Sequence, residues 1–243
     1  MTEVSCERWA GPCSLGAVDM WTLRSPRVTV ELLTLGARHQ EHQLLRPHGA
    51  QGRRGCWAST SPRAIWRADQ VDVGVQLSLT SEEGDQGFPG RVQVSVTYRL
   101  QGETLTVEYE AESSKTTPIN LTNHSYFNLA GQAAADIYDH EVSISAASYL
   151  PVDDASIPTE CVTQPVGGVL EVSTSQPGVQ FYTANALDGS LTGKGGASYR
   201  KHCSFCLETQ NWPDAVNQAS FPDCLLRPGD KYRQVTRLAF TAV

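Results

Sequence analysis

Two segments of the chain concentrate the side chains able to move protons and hold a polar ligand. Residues 120–129 read Asn-Leu-Thr-Asn-His-Ser-Tyr-Phe-Asn-Leu, and residues 205–214 read Phe-Cys-Leu-Glu-Thr-Gln-Asn-Trp-Pro-Asp. Each sets one proton-transfer group, His124 or Glu208, among amides, hydroxyls and aromatics. Amides and hydroxyls hydrogen-bond sugar hydroxyls, and an aromatic face lies well against sugar C–H groups. Histidine and a carboxylate are the usual pair for general acid–base work near neutral pH.

Taken alone, a histidine is more often a core side chain with its nitrogens satisfied by neighbours. The flanks of His124 argue otherwise: Asn120, Asn123, Ser125, Tyr126 and Asn128 put polar groups on both sides of a strand-like segment. Each unpaired polar group in such a segment costs about 1–3 kcal/mol when buried, so it is better placed along a wet cleft. Glu208 follows the apolar Phe205, Cys206 and Leu207. A carboxylate in those surroundings is either a salt-bridged structural group or a functional one. On a strand, Cys206 and Glu208 share a face. Trp212 and Pro213 beyond it suggest a platform for a sugar ring. A third polar and aromatic strand is expected near 176–183, where Gln180 shares a face with Gly178 and Tyr182; a plain surface glutamine is the alternative. Other patterns carry less. Cys203 and Cys206 form C-x-x-C without a second metal pair and read as two thiols on a strand. Residues 193–196 lack the phosphate-loop form. His39 and His42 flank Glu41 without further ligands and read as a solvated loop.

These segments must be positioned by β-structure. Val71, Val73, Val75, Leu77 and Leu79 alternate with polar or small residues, as do Val92, Val94, Val96, Tyr98 and Leu100. Period two means one buried and one wet face. Residues 104–111 continue the pattern with Leu105, Val107 and Tyr109 on one side, and residues 101–103 suit a hairpin turn. Further strands are expected at 27–35, 141–145, 169–174, 178–183 and 232–241, with loops at 82–90, 151–158 and 193–196. No long apolar stripe at helical spacing occurs. The expected fold is all-β, a large antiparallel β-sandwich forming a single domain over 1–243.

The 243 residues are 40% hydrophobic and 19% charged, enough to bury a sizeable core. A net charge of −7 argues against a nucleic-acid surface and against attraction to anionic lipid. No secretory leader or membrane-length apolar run is visible. Seven scattered cysteines fit reduced thiols in the cytosol better than a disulfide framework. The Asn120 and Asn123 sequons are then chance matches. A cytoplasmic monomer that binds neither nucleic acid nor membrane is expected.

At the quoted residues the chain resembles the aldose 1-epimerase (mutarotase) family. Residues 120–131, 150–158, 176–183 and 205–218 carry the likeness, together with Leu-Arg-Pro-Gly at 226–229 and the 82–110 region. The resemblance implies a β-sandwich with a sugar cleft on one concave face, a small aldohexose (galactose or glucose) as substrate, and no metal or cofactor. It implies His124 as general acid and Glu208 as general base, with Gln180 binding sugar; Asn123, Tyr126 and Trp212 are the further candidates for substrate contact. Glu208 would take the anomeric hydroxyl proton while His124 protonates the ring oxygen. Rotation about C1–C2 and reclosure would give the other anomer. Ordinary pKa values of roughly 4.3 and 6.5 would leave a carboxylate base beside a partly protonated imidazole.

The chain departs from the family pattern in two intervals. An Asn-Arg pair and a second histidine in Leu-His-Gly-Gly are expected between Trp57 and Ala64. An aspartate in Gly-Phe-Asp-His is expected between Thr163 and Val169. None is present, and both intervals are too short to hold them. The leading expectation is an aldose 1-epimerase. The alternative is an inactive or carbohydrate-binding remnant of the same fold, because sugar anchors are missing. A hexose-phosphate epimerase would want cleft arginines, and only Arg200 and Lys201 form a basic pair near Glu208.

Overall fold

A computed structural model describes residues 1–8, 18–37, 41–43, 46–47, 56–58, 63–131, 134–151, 170–192 and 196–240, with side chains described outside 35–65. Strands dominate, every described strand pair is antiparallel, and the described helical turns are short 3-10 turns at Asp85–Gly87 and Ala215–Asn217. Among the described residues no helix is long and apolar enough to cross a membrane.

The largest sheet has six strands in the order Leu170–Thr174, Tyr232–Phe240, Thr104–Ser113, Val92–Gln101, Gly74–Ser81 and Arg67–Val71. Its central hairpin follows from the alternation in the sequence. Leu105, Val107, Tyr109 and Ala111 are buried while the residues between them are not, and the two strands run in register from Val92↔Ser113 to Gln101↔Thr104. Gly102 turns the chain at φ +60, a conformation that suits glycine. A second sheet orders Glu3–Arg8, Asp19–Arg24, Val28–Leu33 and Arg46–Pro47. A third, smaller sheet orders Tyr126–Phe127, Phe205–Gln210 and Gly178–Tyr182. One apolar core joins all three: Leu23, Val30 and Leu32 from the second sheet, Val75, Tyr98 and Leu238 from the first, Phe127 and Phe205 from the third.

Several expected elements are corrected. The alternation over 71–79 is not one strand, because the chain turns at Asp72 and Val73 and the two sides pair as a hairpin, Gly74↔Val71 to Ser78↔Arg67. Gly74 is needed at that corner: a Cβ there would lie 1.9 Å from the Tyr98 carbonyl oxygen. Residues 141–145 form no strand; local turn bonds such as Ala146 N–H to Ile144 O at 2.8 Å replace ladder pairing. The expected strand over 27–35 is divided into Val28–Leu33 and Leu35–Ala37. Cys203 sits in the turn before the Phe205–Gln210 strand, so only Cys206 of the C-x-x-C is on it. The His39 and His42 side chains, much of the 151–158 and 193–196 loops, and the 163–169 interval lie outside the described residues. Of the 57–64 interval, only the backbone strands Cys56–Ala58 and Arg63–Ile65 are described.

Candidate active site

The small sheet carries the site. On Phe205–Gln210, Phe205 and Leu207 pack into the core, while Cys206 and Glu208 point to the opposite face. Behind them Gln234, fully buried on the large sheet, donates to the Thr209 main-chain oxygen at 2.8 Å, and Thr209 and Thr236 share a hydroxyl bond at 2.6 Å. The Glu208 strand is therefore pinned to the large sheet by polar groups that are satisfied, where an unpaired set would be costly.

His124 lies on an extended but non-strand segment; pairing begins only at Tyr126, opposite Cys206. Hydrogen bonds to side chains replace the ladder. Asn120 donates to the Asn211 main-chain oxygen at 3.0 Å and accepts from the Asn211 N–H at 2.9 Å. Asn128 donates to the Cys203 oxygen at 2.9 Å and to the Asp136 oxygen at 3.1 Å, and accepts from the Ala130 N–H. The two ends of the His124 segment are thus tied to the two ends of the Glu208 strand.

This places His124 Nε2 3.3 Å from Glu208 Oε1, although the residues are far apart in the chain. The His124 ring stacks on Tyr126 with centroids 4.9 Å apart and meets the edge of Tyr182 at 5.9 Å. Its Nδ1 is buried with no hydrogen-bond partner among the described residues, so Nε2 is the nitrogen turned to Glu208. Glu208 is 8% exposed. Burial pushes its carboxyl up from 4.5 to about 7 and pulls His124 down from 6.5. The expected order, a carboxyl well below an imidazole in pKa, is therefore corrected: desolvation moves the Glu208 carboxyl up into the neutral range. Burial, followed by the neighbouring Cys206, Tyr182 and Glu208, raises the Tyr126 phenol well above its usual range, so it stays protonated.

The remaining candidates divide. Gln180 is directly opposite Glu208 in the strand register, exposed, with its amide nitrogen on the Phe181 oxygen at 3.0 Å. Tyr126 and Tyr182 flank Cys206 from the two neighbouring strands. Asn123 is buried and accepts from the Ser125 N–H at 3.1 Å and from its hydroxyl, bonds that fix the backbone on either side of His124. Trp212 donates from Nε1 to the Pro177 oxygen at 3.3 Å and packs edge-on against Phe221. It stands over Gly178, where a Cβ would meet its ring at 3.2 Å. Cys206 shares the face of Glu208, as its place two residues earlier on the strand predicts, and lies opposite Tyr126. A depression of about 520 Å³ lies elsewhere, on the large sheet among Arg67, Thr80, Gln93, Glu110 and Lys231, and contains none of these groups.

The small sheet of this all-β fold thus sets a buried carboxyl against a half-buried imidazole, with two tyrosines and an exposed glutamine on the neighbouring strands. The aldose 1-epimerase family model matches residues 48–167 and 162–239. The galactose mutarotases of Rattus norvegicus and Homo sapiens are each 46% identical over 226 residues, covering 74% of this chain and 66% of their own length. The aldose 1-epimerase of Haemophilus influenzae is 32% identical over 264 residues, covering 86% of this chain and 74% of its own. The chain belongs to the aldose 1-epimerase family. Its fold matches the galactose 1-epimerase of Lactobacillus acidophilus with a TM-score of 0.75 at 17% identity, covering 99% of each chain. An aldose epimerase homologue from C. elegans gives a TM-score of 0.70 at 20% identity, covering 90% of this chain and 97% of that one.

The chain spans 66% of the length of the galactose mutarotases it matches. The alignment to the Haemophilus influenzae relative runs over 264 residues, more than the 243 available here, so that relative carries stretches with no counterpart in this chain. The family match is in two segments that overlap at 162–167, a stretch that overlaps the second departing interval.

Proposed function

We propose that the protein is an aldose 1-epimerase that interconverts the α and β anomers of galactose or glucose. The observation that carries this reading is the 3.3 Å approach of His124 Nε2 to Glu208 Oε1 in a chain of this family. The anomeric hydroxyl and the ring oxygen are bonded to one carbon, so the base for the first and the acid for the second must be neighbours. Glu208 takes the hydroxyl proton as C1 becomes a carbonyl, and His124 Nε2 delivers a proton to the ring oxygen as the C1–O5 bond breaks. After rotation about C1–C2 the flow reverses. The same two groups must then act in the opposite sense, which favours proton affinities that are close together. Burial raises Glu208 to about 7, out of the carboxylate range and into that of an imidazole, and lowers His124 from its ordinary 6.5.

Gln180, opposite Glu208 on the neighbouring strand, is assigned to a sugar hydroxyl; Tyr126, a permanent donor, and Trp212 are assigned to the rim. Asn123 acts by holding the backbone on either side of His124. A cytosolic protein with reduced thiols fits this reading; Cys6, Cys203, Cys206 and Cys224 are in no disulfide. The test is polarimetry, or a dehydrogenase-coupled assay started from pure α-anomer. Catalysed equilibration lost in Glu208→Ala supports the proposal. Sugar-dependent chemical shifts without turnover would instead identify a binding protein of the same family.

A further inference from the structure

Cys206 has no part in proton transfer, yet its sulfur completes a triad. The ligand-capable atoms of His124, Cys206 and Glu208 all lie within 4.8 Å of one another. The arrangement follows from the sheet. Cys206 and Glu208 are two apart on one strand and so share a face, while Tyr126 pairs with Cys206 and brings His124, two residues earlier, over both. One nitrogen, one sulfur and one carboxylate oxygen are a donor set suited to zinc, which binds them at roughly 2.0–2.3 Å in tetrahedral geometry. Ligand atoms around such an ion stand closer together than 4.8 Å, so the site must contract on binding. His124 is the member able to move: its side chain is 30% exposed, whereas that of Glu208 is 11% exposed and Cys206 is fully buried.

We propose that His124, Cys206 and Glu208 form an inhibitory site for a soft divalent cation of the zinc class. The ion displaces the Cys206 thiol proton and bonds to the thiolate, to the Glu208 carboxylate and to His124 Nε2, leaving a fourth position for water. It is not a cofactor: by taking both proton-transfer groups it switches off the acid–base pair. The inhibitory consequence rests on the proposed mutarotase activity; the binding itself does not.

The test uses cobalt(II) as a spectroscopic stand-in, followed by zinc competition, on the full chain. Wild-type protein is expected to show a thiolate-to-cobalt charge-transfer band and tetrahedral d–d absorption, both abolished by zinc. Cys206→Ser is expected to lose the charge-transfer band and to bind zinc more weakly by over the roughly 10–100-fold that outer-shell partners are worth. Glu208→Gln, nearly the same shape, is expected to keep the band with weakened affinity, which guards against a Cys206 variant that does not fold. A band that survives Cys206→Ser in folded protein, from another thiol, overturns the proposal, as does absence of any tetrahedral cobalt spectrum in the wild type. If cobalt binds as described but no mutarotation is detected with metal chelated away, the site stands and the proposed activity falls.

Discussion

Asn120 and Asn211 exchange two hydrogen bonds, each using the Asn120 side chain on the Asn211 backbone, across a separation of 91 residues. This contact fixes one end of the His124 segment beside the strand that carries Glu208. Asn128 performs the same service at the other end through Cys203. Neither asparagine touches the His124–Glu208 pair, yet together they determine its spacing.

Asn120→Ala removes both bonds to Asn211. At about 1 kcal/mol net per hydrogen bond, a stability loss of about 1–2 kcal/mol is expected in urea unfolding. Turnover is expected to fall more than KM changes, since the acid moves relative to the base. Unchanged turnover in a folded variant would show that the clasp does not position His124.

Glu208→Gln and His124→Asn each remove one proton-transfer group and are expected to lower mutarotation by about 10²–10⁴-fold. In the wild type the working pair holds one proton between its two members. With Glu208 at about 7 and His124 below its ordinary value, activity is expected to fall on both sides of neutrality, with limbs that belong to the pair. A pH–rate profile that remains bell-shaped in Glu208→Gln would remove Glu208 from that role.

Burial of Glu208 also makes stability depend on pH. Its folded pKa, about 7, stands above its ordinary 4.5, so the folded state holds the proton more tightly. The favourable contribution is complete below about 4.5 and is lost as pH rises through about 7. Above that, the wild type is expected to be less stable than Glu208→Gln by up to about 3 kcal/mol, and the two are expected to converge in acid. Parallel stability curves for the two proteins between pH 4 and 8, read by denaturant titration, would contradict a buried ionising carboxyl.

Gln180→Ala and Trp212→Ala separate grip from chemistry. Gln180 is exposed, and its side chain bonds the adjacent Phe181 oxygen, so its loss is expected to cost well under 1 kcal/mol of stability while raising KM. Trp212 also packs on Phe221 and covers Gly178, so its removal is expected to lower the melting temperature as well. Equal KM values for wild type and Gln180→Ala would take Gln180 out of the sugar site.

His124 and Glu208 were legible as candidates because each sits in a segment whose polar and aromatic flanks make little sense in an apolar core. The hairpin of Val92–Gln101 and Thr104–Ser113 was legible because its alternation is regular and its turn carries glycine. The turn at Asp72–Val73 was hidden because the valine spacing runs straight through it. Glu208's proton affinity was not legible either: it depends on burial created by strands distant in the chain. Nor could spacing reveal the Asn120–Asn211 clasp, since a contact over 91 residues leaves no local pattern. That Cys206 shares a face with Glu208 was legible from their spacing, but the approach of His124 to both was not, since it comes from a different segment.

The asparagine clasp has a consequence for how such a protein tolerates loss of sequence. Its four anchor points, Asn120, Asn128, Cys203 and Asn211, all lie outside 57–64 and 163–169, the two intervals where the chain departs from the expected family pattern. The contacts that bracket His124 and Glu208 are therefore encoded apart from those intervals, and the 3.3 Å approach of the pair does not draw on them.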